Sequence, residues 1–197
     1  MLTDKCPLPE NASSAGGSTL QHQRYRVELG HYHYVFHDTV GLNGGTSAST
    51  TPRQAPQDLC QFISKIEGGV SLLIYVHRGK ILHQNVEDYK HFNAMCENKV
   101  PIALIVTGLE EADSFDDWWA TNKDLFKKAK MQTDHVACIT TTKGKPMEHP
   151  YQKAYDESKD RLKKMLLAAP LDKVGMVKAS TDLKIFMQKF NLYAPGV

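Results

Sequence analysis

Three short apolar runs alternate with helix-length segments over residues 70–168, and this alternation constrains the fold more than any other feature of the chain. The runs are Val70–Val76 (VSLLIYV), Pro101–Val106 (PIALIV) and Val136–Thr140 (VACIT). A short run that is apolar almost throughout is typical of a strand buried on both faces. Strands that alternate with helices predict right-handed βαβ units and a parallel sheet with helices on both faces.

The segments around these runs supply the other elements. We predict helices over residues 58–66, 85–96, 114–129 and 151–168. Ser114 is the expected N-cap of the third helix. Upstream, Tyr25–Leu29 and Tyr32–Phe36 flank Gly30 and predict an antiparallel hairpin. The predicted fold class is therefore α/β and three-layered, a mostly parallel sheet with one antiparallel hairpin edge.

Composition predicts one globular core between two less regular ends. The chain of 197 residues is 41% hydrophobic and 23% charged, which is the balance of a globular rather than a disordered protein. Residues 1–18 are rich in Pro, Ser, Gly and Asn, and we predict a flexible arm there. Residues 19–169 form the predicted core. Residues 170–197 are predicted to be a tail that packs on the core or on a partner.

Charge and hydropathy argue against several classes of function. A net charge of +2 gives no reason to expect nucleic-acid binding. No apolar run approaches the roughly 18 residues of a membrane span, and the polar N-terminus lacks the apolar segment of a signal peptide. The four cysteines lack C-x-x-C spacing, which favours free thiols in a reducing compartment. We therefore expect a cytoplasmic protein.

Polar segments follow three of the predicted strands. These segments are Asp38–Gly41, Thr107–Glu110 and Thr140–Gly144. In open α/β sheets, ligands bind beyond the carboxyl ends of the strands. Each segment alone is a weak signal, but together they predict a ligand site at one edge of the sheet.

The first of these segments carries a motif. Asp38–Gly41 and the following Leu read DTVGL, the form of the DxxG element with which a G domain senses the γ-phosphate. With TGLE at Thr107–Glu110 and the paired Trp118 and Trp119, the chain resembles a G domain of the Ras-like and translation-factor class. More narrowly, it resembles fungal G-domain proteins that carry these motifs. The resemblance covers residues from about 14 to 168 and implies a purine nucleotide, GTP or GDP, with ATP and ADP as alternatives.

At the phosphate end of the implied site, Asp38 and Thr19 would hold Mg²⁺ and Gly41 would contact the γ-phosphate. Asn43 stands where such proteins carry the Gln that orients the attacking water, and its amide reaches less far. The phosphate loop G-x-x-x-x-G-K-[ST] is absent from the sequence. Losing about four charge-assisted hydrogen bonds removes on the order of 6 kcal/mol, whereas micromolar binding amounts to only about 8 kcal/mol. Tight binding therefore needs other groups around the phosphates.

At the base end, Thr107 and Glu110 occupy the place of the guanine-reading [NT]KxD motif. Thr142 and Lys143 occupy the loop that contacts the base from the other side. The chain departs from the family pattern twice, because Glu110 replaces the Asp that bonds the guanine edge and Gly108 replaces the Lys that packs on the ring. The resemblance therefore implies guanine as the favoured base and leaves adenine open.

Arg53 and His37 are the candidates to compensate the phosphate charge. Arg53 follows DTVGL in a long polar loop and would close over a phosphate like an arginine finger. The alternative is a solvated loop side chain. His37 shares a strand face with His31 and His33 and, beside Asp38, would lend charge to a phosphate or carry a proton. A metal site on a His pair and a plain polar strand face are the alternatives.

The C-terminal tail holds two further candidate elements. The resemblance implies a first strand, encoded before residue 14, that lies between the hairpin and the strand at residues 70–76. Residues 1–13 have no strand pattern, so the implied sheet has a gap at that place. Unpaired backbone groups in such a gap are costly, so the gap must close or be filled. The segments Lys173–Ser180 (KVGMVKAS) and Leu183–Leu192 (LKIFMQKFNL) are candidate fillers or dimer arms. For the second segment, an amphipathic helix docked on the core is the alternative.

Three interpretations of the whole chain stay open at this point. The first is an atypical nucleotide-binding protein that lacks the phosphate loop and hydrolyses a nucleoside triphosphate slowly. The second is a catalytically inactive pseudo-GTPase that acts as a binding or dimerisation module, with a homodimer as one form. The third is a chain whose phosphate loop is encoded further upstream.

Overall fold

The computed structural model describes residues 23–39, 59, 61–81, 83–96, 100–131, 133, 135–142 and 150–169. The strands are β1 (Gln23–Leu29), β2 (Tyr32–Asp38), β3 (Leu73–Arg78), β4 (Ile102–Thr107) and β5 (His135–Cys138). The long helices are α1 (His83–Cys96), α2 (Phe115–Lys128) and α3 (Pro150–Ala168), and residues 59 and 61–64 are also helical. The predicted alternation of strands and helices is confirmed. The predicted arm at residues 1–18 and the tail at residues 170–197 lie outside the described residues.

A parallel sheet of order β3-β4-β5 forms the centre of the fold. Its middle strand, β4, is buried on both faces, as a continuous apolar run predicts. Leu104 and Val106 face a core that α1 and α2 share with the helical residues 59 and 61–64. Ala103 and Ile105 face the opposite core, which α3 covers. The prediction of helices on both faces of a parallel sheet is therefore confirmed.

The hairpin of β1 and β2 is a separate two-stranded antiparallel sheet. The prediction that it forms an edge of the parallel sheet is wrong for the described strands. Side-chain packing holds the hairpin instead: Leu29 belongs to the core under α3, and Phe36 packs against that core. The Tyr34 hydroxyl donates to the carbonyl of Leu166 on α3 at 3.3 Å. Among the described residues, side-chain contacts therefore join the hairpin to the fold, chiefly through α3, and no backbone ladder links it to the parallel sheet.

The first strand of the parallel sheet differs from the prediction of burial on both faces. Leu73, Tyr75 and His77 are buried on one face of β3. Val76, on the other face, is 60% exposed, and Ile74 on that face is half-buried. Within the described part of the chain, α3 and the hairpin cover this face around Ile74 but leave Val76 open. The apolar run at residues 70–76 therefore predicted a strand correctly, but the prediction that both faces of this strand are buried is wrong at Val76.

Helix α2 begins as the sequence predicts. The Ser114 hydroxyl accepts a hydrogen bond from the Asp117 N–H at 3.3 Å, which is the N-cap geometry. Arg161 on α3 donates to both carboxylate oxygens of Asp116 at 2.8 and 2.6 Å and lies 5.4 Å from the ring centroid of Phe115. The hydrogen bond from Arg161 lowers the pKa of the Asp116 carboxyl. These contacts join the start of α2 to α3.

The predictions about the cysteines and about membrane-spanning segments can be compared with the structure only over the described residues. Cys138 is a buried free thiol, so the prediction of free thiols is confirmed for this residue, and burial raises its pKa to about 12. Cys6, Cys60 and the side chain of Cys96 lie outside the described residues. Within the described part of the chain, no helix has the length and apolar character needed to cross a membrane.

Candidate functional site

The carboxyl ends of the three parallel strands meet at one edge of the sheet. In the strand registers, Arg78 faces Thr107 and Val106 faces Cys138. The pairing continues one residue past β5, where the Ile139 N–H donates to the Val106 carbonyl at 2.9 Å. The segments after β4 and β5 therefore leave the sheet side by side. This is the edge at which open α/β sheets bind ligands.

Glu110 is the centre of the contacts at this edge. Its Oε1 accepts hydrogen bonds from the hydroxyls of Thr140 at 3.1 Å and Thr142 at 2.8 Å. Burial raises the pKa of Glu110, but hydrogen bonds from Thr142, from its own backbone and from Thr140, with the charge of Arg78, outweigh burial and lower it. Glu110 is therefore an ionised carboxylate, and hence a pure acceptor, at neutral pH.

Arg78 lies across the backbone of Gly108. Gly108 has φ +75°, and a Cβ placed on it would lie 2.8 Å from Cγ of Arg78. The Arg78 side chain therefore occupies the space that a side chain at position 108 would fill. Glycine serves here both because of the left-handed backbone and because of this close approach.

We expect Gly108→Ala to disturb this arrangement more than Gly79→Ala. Both residues have positive φ, so each substitution adds a strain of about 1–2 kcal/mol. At Gly79 no described atom lies within 4 Å of the added Cβ, whereas at Gly108 the Arg78 side chain must move. Urea unfolding of the two variants measures the difference. Equal losses of unfolding free energy would contradict the seating of Arg78 on Gly108.

Helix α3 holds both loops of the edge in place. The N–H of Thr140 donates to the hydroxyl of Ser158 at 2.9 Å, and that hydroxyl donates to the Ala154 carbonyl at 2.6 Å. Thr140 and Ser158 are both fully buried. The Tyr151 hydroxyl donates to Glu111 at 2.8 Å. The position of Glu110 and its threonines is therefore determined by contacts with α3.

Sequence reasoning missed Ser158 as a positioning residue. It assigned a surface role to Arg78, which follows the apolar run at residues 70–76, with contact to the nucleotide face as the alternative. A signal for Ser158 did exist, because it stands four residues from both Ala154 and Leu162 on the apolar stripe of α3. A small polar residue on such a stripe needs a buried hydrogen-bond partner. For Arg78 the only signal was its place at the end of an apolar strand.

The predicted site residues fall into three groups. Glu110 and Thr142 meet as described above, and the Thr107 hydroxyl donates to the His77 carbonyl at 3.2 Å, so it ties β4 to β3. Asp38 is exposed at the end of β2, in the separate sheet. His37 is half-buried, with its ring edge-on to Phe62 at 5.6 Å. The third group lies outside the described residues and comprises Thr19, Gly41, Asn43, Arg53 and Lys143.

The histidines of the hairpin form no metal-binding group with other described residues. His33 is exposed, and its Nδ1 lies 3.5 Å from Glu28. His31 is exposed in the hairpin turn. Among the described residues, no three His, Cys, Asp or Glu side chains come together as a metal-binding group. His33 lies on the exposed face of β2, whereas His31 precedes that strand.

The edge of the sheet thus brings together an ionised carboxylate, the two threonine hydroxyls that donate to it and a guanidinium, at or just after the carboxyl ends of three different strands. No protein-family model and no curated protein sequence matches this chain. Any assignment of function therefore rests on the chemistry of these side chains. Carboxylates and guanidinium groups recognise ligands that carry N–H donors and flat or anionic groups.

Proposed function

We propose that this protein binds a purine nucleotide, preferentially GTP or GDP, at the carboxyl edge of the parallel sheet. Glu110 accepts the two N–H groups on the Watson–Crick edge of guanine. The observation that supports the proposal is the ionised Glu110 carboxylate held by Thr140 and Thr142 beyond the end of β4. A carboxylate has about four lone-pair sites, so two threonine hydroxyls leave acceptor capacity for a ligand.

Arg78 supports this proposal at the position where the chain departs from the family pattern. A G domain packs a Lys on the base, and this chain has Gly108 in that place. The Arg78 side chain lies over Gly108 and fills the vacated space. A guanidinium is planar and stacks on aromatic rings, so Arg78 can take the place of the absent Lys against the purine.

Slow hydrolysis of the triphosphate is an extension of the same proposal. Asp38 carries an exposed carboxylate, the oxygen ligand that Mg²⁺ prefers, and Mg²⁺ commonly uses one or two carboxylates with water and phosphate. In this scheme Thr19 is the second ligand and Gly41 contacts the γ-phosphate. Asn43 positions water, while Arg53 or His37 offsets the phosphate charge. Phosphate release from saturating GTP, measured with and without Mg²⁺, tests the extension.

Calorimetric titration of the full chain with GTP, GDP and ATP tests binding, and Glu110→Gln is the decisive variant. A hydrogen bond to a charged group contributes about 1.5–3 kcal/mol, so we expect GTP affinity to fall by about 10–150-fold. The preference for GTP over ATP should shrink by a similar factor. Glu110→Gln keeps the size of the side chain and the threonines can still donate to its amide oxygen.

Glu111→Gln is the matched control, since it removes the same charge from the neighbouring residue, whose carboxylate accepts from Tyr151 instead. We expect it to leave the affinity for GTP unchanged within about twofold. An equal loss in both variants would point to net charge and not to base recognition. Absence of heat with millimolar GTP and ATP would rule out the proposal.

One observation favours a second candidate function, a G-domain-like binding or dimerisation module without nucleotide. The Glu110 carboxylate is already bound by Thr140 and Thr142, so it is not an empty site that demands a ligand. In that case the titrations show no binding, and Glu110→Gln lowers only the unfolding free energy. Sedimentation over a range of concentrations then measures whether two copies associate.

A further inference from the structure

A cavity of about 530 Å³ separates the hairpin from the parallel sheet. Its two long walls are runs of consecutive residues, Tyr32–His37 of β2 and Gly68–Ile74 leading into β3. A strand that turned one face toward a cavity would line it with alternate residues only. Consecutive lining residues therefore indicate that the cavity lies along the edges of both strands.

On the β3 side, backbone groups point into this cavity. The N–H groups of Leu73 and Gly79 donate to carbonyls of or next to β4, at 3.0 and 2.9 Å. Backbone groups alternate in direction along a strand, so the N–H groups of Ile74 and Val76 point away from β4, and of these two residues Ile74 lines the cavity. Within the described part of the chain, no strand pairs with this side of β3.

On the β2 side, the geometry of the hairpin leads to the same result. Leu29 faces Tyr32 across a two-residue turn in which Gly30 has φ +62°. The pair that closes such a turn is hydrogen-bonded, and bonded pairs alternate along the hairpin. The backbone groups of His33 and Val35 therefore point away from β1, on the side of the cavity. Two strand edges thus face one space.

The cavity is covered by apolar side chains from both layers of helices. Leu166 of α3 lines it from one side, and Leu59, Phe62 and Ile63 line it from the other. These residues belong to the cores on opposite faces of the sheet. A segment placed here would lie in the sheet layer with both faces buried. Such a strand reads as a short, continuous apolar run.

We infer that this slot, the cavity between β2 and β3, receives residues 173–180 of the same chain as a strand. Val174–Val177 (VGMV) is apolar throughout. No other segment outside the described residues has four consecutive residues that are free of both polar side chains and proline. In the rest of the tail, Leu183, Phe186 and Phe190 recur at helical spacing, which suits a helix and not a strand.

The path of α3 favours this occupant. Tyr151 at its start contacts Glu111 at the carboxyl edge of the sheet, whereas Leu166 in its last turn lines the slot. Helix α3 therefore runs antiparallel to the sheet and brings the chain to the amino end of β3. The four residues 169–172 between α3 and this segment reach at most about 14 Å, enough to enter a slot that the helix already touches. The entering strand would run parallel to β3.

Amide hydrogen exchange on the full chain tests the inference, with Val177→Pro as the variant. Proline removes one N–H and is excluded from central strands. In the unmodified chain we expect slow exchange at Ile74 and Val35. In the variant we expect exchange at both amides to become at least about tenfold faster, because paired amides become edge amides. Leu73, whose N–H donates to the Pro101 carbonyl, reports whether the sheet itself is intact.

Lys189→Pro, in the other tail segment, is the matched control and should change neither amide. Adding a peptide of residues 171–182 to the Val177→Pro protein should restore slow exchange. Fast exchange at Ile74 in the unmodified chain would overturn the inference, as would a stronger effect of Lys189→Pro. Protection that rises with protein concentration would assign the slot to a second copy, and this result would also overturn it.

Discussion

Replacing Phe126 with alanine is expected to lower the free energy of unfolding by about 3–5 kcal/mol. Phe126 belongs to α2, is 2% exposed and packs in the core between this helix and the parallel sheet. Its ring centroid is 5.2 Å from that of Trp119, 5.6 Å from His77 and 6.3 Å from Trp118. Removing the ring leaves a cavity that these flat partners cannot close. The total free energy of unfolding of a domain is about 5–15 kcal/mol, so this loss is a large share of its stability.

Leu125→Ala provides the matched control for this prediction. Leu125 precedes Phe126 on the same helix but is 52% exposed. Its truncation removes little buried surface, so we expect a loss within about 0.5–1 kcal/mol. Urea unfolding curves of both variants measure the difference. Equal losses of unfolding free energy in the two variants would show that the ring of Phe126 is not central to the core between α2 and the sheet.

The second large effect expected is a loss of stability in mild acid, caused by His77. His77 is 2% exposed, and its Nε2 donates to the Gly79 carbonyl at 2.9 Å. No described group bonds to Nδ1, so a second proton there would be buried without an acceptor. Burial lowers the pKa of His77, although hydrogen bonds to the carbonyls of Gly79 and Lys80 act in the opposite direction.

The sign of the pH effect follows from this lowered pKa. The folded protein keeps His77 neutral, whereas the unfolded chain takes up a proton near pH 6.5. The contribution of His77 is therefore complete above about pH 6.5. It is lost as the pH falls toward the folded-state pKa, at a limiting rate of about 1.4 kcal/mol per pH unit.

Unfolding free energies measured by urea between about pH 5 and pH 8 check this prediction. His77→Gln keeps a side-chain N–H for the Gly79 carbonyl but cannot titrate. We expect this variant to lose the part of the pH slope that lies just below pH 6.5, while slopes at lower pH from carboxylates remain. An unchanged slope in the variant would show that another group is responsible.

Local sequence patterns were sufficient to predict the strands and helices. They were also sufficient to predict that Glu110 lies at the carboxyl edge of the sheet. The run Pro101–Val106 predicted a strand buried on both faces, and Leu104 and Ala103 face opposite cores as expected. Ser114 predicted the start of α2 and caps it. These predictions succeeded because helix caps and hydrophobic periodicity depend on residues a few positions apart. The carboxyl-edge rule likewise indicated where Glu110 would lie.

The detailed geometry of the site could not be predicted in the same way. Nothing within the TGLE segment indicates that Arg78, some thirty residues earlier, covers Gly108. Nor does the TTT segment at 140–142 indicate that Ser158 on a later helix receives the Thr140 N–H. Both contacts depend on the register of paired strands and on how α3 lies across them. Register is set by the packing of the whole sheet and not by the residues of one strand.

The sequence by itself determined which segments are strands and helices, which of them are apolar, and which polar segments follow the strands. Only the tertiary structure decided that the hairpin forms its own sheet, that Val76 is exposed, and which residues line the cavity between β2 and β3. The physical reason is that an apolar, β-branched segment is a strand with almost any partner. Which partner it takes depends on segments far away in the chain and on the space that the helices leave between them.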